Sequence, residues 1–294
     1  MTMPSLLKFA WLSILTSLAT ISLKFAAFWL SNSISLLSDA IESLVNLTAG
    51  LIALWALWLA ARPADDGHAF GHQKAEYFSS GAEGLLILAA ALSIVWSAIA
   101  RLLHPAPLEQ LGWGLALSLV AAACNFATAR VLLDVGRRHD SITLEADAQH
   151  LMTDVWTSVG IAAGLLLVLW LPQLAWLDPL LALLVGGHIA LTAFKLLRRS
   201  ADGLMDASLP AAELEQLRAL VEAALGKQGR LLALRTRKSG PQRFVEASIG
   251  LPSEMSVAES HGLCDIVEAA VARAYAPPPR LVLHVEPLPA RAEI

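Results

Sequence analysis

Two segments of this sequence set polar side chains into apolar surroundings at the same spacing. Asp39, Glu42 and Asn46 stand at i, i+3 and i+7, and so do Asp147, His150 and Asp154. On a helix that spacing gathers each trio on one face. A charged side chain near a bilayer centre costs about 2.5–3.5 kcal/mol even on insertion-based scales, so two matched sets call for a common partner. Hydrogen bonds between the helices are one answer; a cation held between the two faces satisfies all the groups at once. Oxygen and imidazole donors without thiolate suit Zn²⁺, Co²⁺, Fe²⁺ or Mn²⁺ rather than copper(I). Glu42, Asn46, His150 and Asp154, the i and i+4 pair of each helix, would close a tetrahedral site. Asp39 and Asp147, about a turn earlier, would orient those ligands or relay protons.

A third group lies between the two segments. Asp65, His68 and His72 sit in the stretch Pro63-Ala64-Asp65-Asp66-Gly67-His68-Ala69-Phe70-Gly71-His72-Gln73-Lys74-Ala75-Glu76. Three ligands and a water make an exposed metal site, against the alternative of a solvated loop whose histidines only titrate. A zinc-protease helix is excluded, because Ala69 rather than Glu follows the first histidine and Gly71 weakens any helix.

The elements that must carry these residues follow from composition. Of 294 residues 56% are hydrophobic and only 16% charged, well below the roughly 25% charged of soluble domains. Apolar stretches near 7–30, 34–61, 80–103, 111–134, 143–171 and 177–197 are each long enough for a membrane helix, which needs about 20 residues. Arg62, Lys74, Arg137, Arg138, Lys195, Arg198 and Arg199 cluster on one set of flanks, and the other set shows little beyond Arg101. Positive residues stay cytoplasmic, so both termini are expected inside. The first stretch is too long for a signal-peptide core. A net charge of -4, with no basic cluster interleaved with aromatics, argues against nucleic-acid binding. Cys124 and Cys264 form no disulfide framework and no Cys-x-x-Cys site.

After Asp206 the charged share rises to that of a soluble domain, which divides the chain into 1–205, a six-helix membrane domain, and 206–294, a cytoplasmic domain. The tail reads as an amphipathic helix at 212–226, strands at 231–238 and 243–250 around Ser239-Gly240-Pro241, a helix at 256–274 and a strand over Leu281, Leu283 and Val285. That αββαβ order suits a small α+β sandwich with both helices on one face of the sheet.

In Ser38-Asp39-Ala40, His150-x-x-x-Asp154, the 63–76 loop and Leu234-Arg235-Thr236-Arg237-Lys238-Ser239-Gly240, the chain resembles the cation diffusion facilitator family over nearly its whole length. The resemblance implies six spans, a homodimer, a ferredoxin-like or metallochaperone-like cytoplasmic domain, and exchange of divalent metal for protons. It implies an accessory site at Asp65, His68 and His72. It places ligands of a cytoplasmic two-metal site at His261, His284 and Glu286, although Leu232 and Ser248 stand where zinc-exporting relatives often carry histidine. It pairs Lys74 with Asp206 across the dimer near the cytoplasmic surface. One departure concerns the cargo: relatives commonly carry Asp or His, then Asp, where this chain has Glu42 and Asn46.

The expected function is therefore efflux of a divalent metal, with zinc ahead of manganese, iron and cobalt, in an integral protein of a bacterial inner membrane. Its partners would be the bilayer, protons, metal ions and a second copy. Imidazole titrates near cellular pH and binds metal only when neutral, so His150 is the natural proton carrier. A metal-sensing membrane scaffold and an intramembrane metal-dependent hydrolase are the alternatives.

Overall fold

The computed structural model describes residues 3–31, 34–104, 112–170 and 177–288. Two expected site residues, Asp39 and Glu42, fall on the backbone of a described helix, but their side chains lie outside the described part. The chain divides into Met1–Ala201 and Asp202–Ile294.

The first unit is built from helices α1 (Met3–Ser31), α2 (Ile34–Ala60), α3 (Ala75–Leu103), α4 (Gly112–His139), α5 (Ile142–Trp170) and α6 (Leu177–Leu204). Each has 27 to 29 residues, about 40 Å at 1.5 Å per residue, enough to cross a bilayer. By length and apolar content alone, Leu6–Trp29, Ala75–Ala100 and Ala116–His139 are candidate spans among the described residues. Two helices also outrun the apolar stretches that announce them: α4 continues through Arg137, Arg138 and His139, and α6 through Arg198 and Arg199. Apolar patterning ends where the bilayer ends, while the hydrogen-bond ladder does not.

Burial in this unit is inverted relative to a soluble protein. Trp11, Trp55, Trp96, Leu85, Leu92, Phe126, Leu184 and Phe194 are exposed, while Ser13, Ser17, Thr20 and Lys24 of α1 are buried. Those four lie at i, i+4, i+7 and i+11, one helical stripe, turned toward α2 and α4, against which α1 packs. Leucines and alanines complete the seam: Leu6, Ala10, Leu57, Ala129, Leu132, Leu144, Ala148 and Leu151 form one buried cluster. Alanine at such positions lets helix backbones approach closely enough for side chains on different helices to bond.

The start of α5 is fixed from outside its own ladder. Glu76, in the first turn of α3 and fully buried, accepts the Ser141 hydroxyl at 2.5 Å and the Thr143 backbone N–H at 3.5 Å. A carboxylate thus meets the open N–H groups and positive dipole end of the helix that carries Asp147, His150 and Asp154. Nearby, Glu145 of α5 binds the Arg199 guanidinium of α6 through both nitrogens.

The second unit contains α7 (Ala211–Leu225), β1 (Arg230–Ser239), β2 (Gln242–Pro252), α8 (Val257–Ala274) and β3 (Arg280–Leu288). The sheet order is β1-β2-β3, with β1 antiparallel and β3 parallel to β2. Ser239 pairs with Gln242 around a two-residue turn in which Gly240 has φ +52°. Glycine supplies the positive φ and Pro241 the fixed negative one, as a type II′ turn requires. The parallel pair needs a crossover, which α8 supplies. Ser256 and Glu259 cap α8 reciprocally. Leu217, Val221 and Leu225 of α7 and Leu263, Val267 and Val271 of α8 pack with Val245, Ile249 and Leu251 of β2 into the core.

Glu76→Ala would leave the Ser141 hydroxyl and the Thr143 N–H without their acceptor. The expected cost is about 2 kcal/mol, read as a fall of a few degrees in the melting temperature of the purified protein. An unchanged melting temperature would show that α5 is positioned by packing alone.

Candidate metal centre

Asp154 is the point on which four helices converge. It lies on α5 and is 4% exposed, and its Oδ2 accepts three hydrogen bonds: from Lys24 Nζ of α1 at 3.0 Å, Asn46 Nδ2 of α2 at 2.6 Å and Asn125 Nδ2 of α4 at 3.0 Å. Lys24, Asn46 and Asn125 are all buried. A carboxylate removed from water keeps its charge only among such donors, and the ammonium neutralises it directly.

His150 stands one turn before Asp154, 3% exposed, and neither ring nitrogen has a hydrogen-bond partner. A buried imidazole usually bonds through at least one nitrogen. Here the unmade bonds sit beside the most heavily solicited carboxylate of the described residues, where a cation would find both an imidazole nitrogen and a carboxylate oxygen. Asn46 approaches as a donor through its amide nitrogen, which leaves its oxygen as the atom suited to a cation. Of the four ligands expected from spacing, Asn46, His150 and Asp154 thus lie in one buried region, and the side chain of Glu42 is outside the described residues.

One turn earlier still on α5, Asp147 is fully buried with neither carboxylate oxygen hydrogen-bonded. The Ser13 hydroxyl of α1 lies beside it, and Glu83 of α3 is also fully buried and accepts the Ser79 hydroxyl at 2.9 Å. The buried polar groups of α1, α3 and α5 therefore continue beyond His150 rather than ending at it. The side chain of Asp39 is outside the described residues.

The loop trio is a local structure. Asp65 Oδ1 accepts the His68 backbone N–H at 2.7 Å and lies 3.4 Å from its Nδ1, while Oδ2 lies 3.4 Å from Nε2 of His72. One possible ligand atom from each residue lies within 4.8 Å of the others, the one such group of three among the described residues. The bond from the His68 backbone N–H holds the Asp65 carboxyl below the usual carboxylate range, so it stays an anion into more acidic solution than a free aspartate. Gly71 has φ +90°, which turns the chain between the two histidines, and their rings lie 4.4 Å apart, tilted by 45°.

His261 is exposed on α8, 3.9 Å from Asp265, and lines one groove with Glu286 of β3; His284, also exposed on β3, does not line it, and no group of three possible ligands gathers there among the described residues. Asp206 accepts Arg237 Nη1 at 3.4 Å. Reading by spacing missed Lys24, Asn125 and Glu83. A signal existed for Lys24, the sole charged residue between Lys8 and Asp39; a lone cation inside an apolar span demands an anion.

Residues 10–205 match the cation efflux transmembrane domain and residues 209–288 the cytoplasmic domain of cation efflux proteins. An uncharacterized transporter of Synechocystis, sll1263, is 46% identical over 280 residues, 95% of this chain and 90% of that one. The cation-efflux pump FieF of Salmonella paratyphi A is 30% identical over 92% of this chain and 88% of the pump. FieF of Escherichia fergusonii is 31% identical over 92% and 90%.

If the loop trio binds metal, Asp65→Asn should weaken its Co²⁺ affinity at least about tenfold, read from the visible absorption of the bound ion in titrations of the purified protein. Superimposable titrations of parent and variant would remove Asp65 from the site.

Proposed function

From the premise that the chain belongs to the cation diffusion facilitator family, we propose that it exports a divalent metal ion from the cytoplasm across a bacterial inner membrane in exchange for protons. It is a transporter and not an enzyme. The cargo would be zinc first, with manganese, iron or cobalt as alternatives, held between α2 and α5 by Glu42, Asn46, His150 and Asp154. The observation that carries this reading is the pairing of Asp154, buried at the meeting of four helices, with a buried His150 whose two ring nitrogens are unpartnered.

The chemistry of exchange follows from those two side chains. Metal binding needs a neutral imidazole and an ionised carboxylate, and protons compete for both. A site open to the cytoplasm would take metal and surrender protons; open to the more acidic side, it would take protons and surrender metal. Asp147, with its unpartnered oxygens, continues the polar groups away from the site and is our choice for the relay, with Asp39 in the equivalent position on α2. Asp65, His68 and His72 would form an accessory cytoplasmic site. We further propose a homodimer with both termini in the cytoplasm, in which Lys74 and Asp206 pair near the membrane surface. His261, His284 and Glu286 would hold at most one metal per subunit.

His150→Ala and Asp154→Ala should each abolish metal flux in proteoliposomes carrying an inward proton gradient, with the size-exclusion profile unchanged. Flux near the parental rate in either variant would refute the site; metal binding without flux in the parent would favour a sensing scaffold.

A further inference from the structure

Lys24 presents a problem for metal binding at Asp154. Its ammonium sits 3.0 Å from Asp154 Oδ2, and the side chains are 1% and 5% exposed. The oxygen it occupies is also held by Asn46 and Asn125. A zinc ion on a carboxylate oxygen sits at about 2.0–2.2 Å. With the ammonium on the same oxygen, a single and a double positive charge would lie within about 4 Å of each other in a poorly solvated region, where such repulsion is severe. The two cations are therefore alternatives at that oxygen.

We propose that Lys24 is a tethered counter-cation of the transport site, which holds Asp154 while the site is empty and must withdraw from Oδ2 when the cargo metal binds. The proposal rests on the reading of Asp154 as a cargo ligand. It gives a buried lysine a function that packing does not. An empty carrier has to change conformation without metal, and a naked buried carboxylate would oppose that passage. The ammonium supplies the missing charge without leaving the protein. In the loaded state the same charge stays near the metal and weakens its binding, which favours release on the far side. The three serine and threonine residues on the stripe of α1, Ser13, Ser17 and Thr20, are buried with Lys24 and keep that face of the helix polar.

Metal affinity distinguishes a competitor from a supporting residue. A lysine that merely positioned Asp154 would, when lost, weaken metal binding; a competitor, when lost, strengthens it. The experiment is a titration of the purified full chain with Zn²⁺ alone, the membrane site being identified as the binding step that Asp154→Ala removes. Lys24→Met, which keeps the length and apolar stem of the side chain, should lower the Kd of that step at least about tenfold. Lys24→Arg, which keeps the charge, should stay within about threefold of the parent. If Lys24→Met does not fold, Lys24→Gln carries the same expectation, since it retains a donor without the charge. A Kd equal to or weaker than the parental one, with Asp154→Ala still removing the step, would overturn the role of Lys24 and leave the transport site standing. Asp154→Ala with every Zn²⁺ step intact would overturn the site itself.

Discussion

The membrane unit is organised around the cost of keeping one carboxylate charged away from water. Asp154 cannot be solvated from the lipid face, so its charge has to be met by groups arriving from other helices. Lys24, Asn46 and Asn125 arrive from three of them. Each of these donors is itself costly to bury without its bond, so the arrangement is mutual: the anion stabilises the donors as much as they stabilise it. Helix pairing around α1, α2, α4 and α5 is therefore specified by polar contacts, while the alanines of the apolar seam only permit the approach. In lipid, apolar packing alone discriminates poorly between one helix face and another.

On the proposed reading, that constraint makes the same groups serve both the fold and the chemistry. A site whose donors were all satisfied by one another would be glue, and a cation would gain nothing by entering. Here the satisfaction is uneven. Asp154 is heavily bonded, whereas His150 on the next turn and Asp147 beyond it have no bonds to their side-chain acceptors or donors. On the proposed transport reading, this imbalance is where exchange would take place, because protons and metal ions can each supply what the protein leaves unmade. Glu76 at the start of α5 and the Glu145–Arg199 contact hold the helix that presents these groups.

Legibility in the sequence tracks how local the determining contacts are. The Asp65, His68 and His72 group closes within eight residues, and short backbone turns bring the trio together, so spacing alone found it. Asn46, His150 and Asp154 were legible because each trio repeats on its own helix; the period fixes a face. Periodicity does not say which third helix will face that stripe, and Lys24, Asn125 and Glu83 were missed for that reason, each lying on a helix other than the two that carry the trios. Helix ends past the apolar stretches were missed in the same way, since apolar content reports the bilayer and not the hydrogen-bond ladder. The tail was read closely from its turn residues and alternation. Its parallel β2–β3 pairing is a long-range contact that the αββαβ order permits but does not by itself specify.

The position of Lys24 bears on why a membrane site of this composition can turn over. Tight binding and rapid release make opposite demands on the same ligands, and a carrier resolves them only if something within the site changes sides as the cargo leaves. Protons on His150 and Asp154 can do so from outside. An ammonium on a flexible four-carbon stem can do so from inside, without crossing the membrane, since its charge is carried by α1 while the ligands are carried by α2 and α5. Any relative movement of α1 against α5 then changes the distance between Lys24 and Asp154, and with it the affinity for metal. Under the proposed role of Lys24, conformation and occupancy would be coupled through that contact, in the direction that transport requires: close contact opposes the metal, and separation admits it.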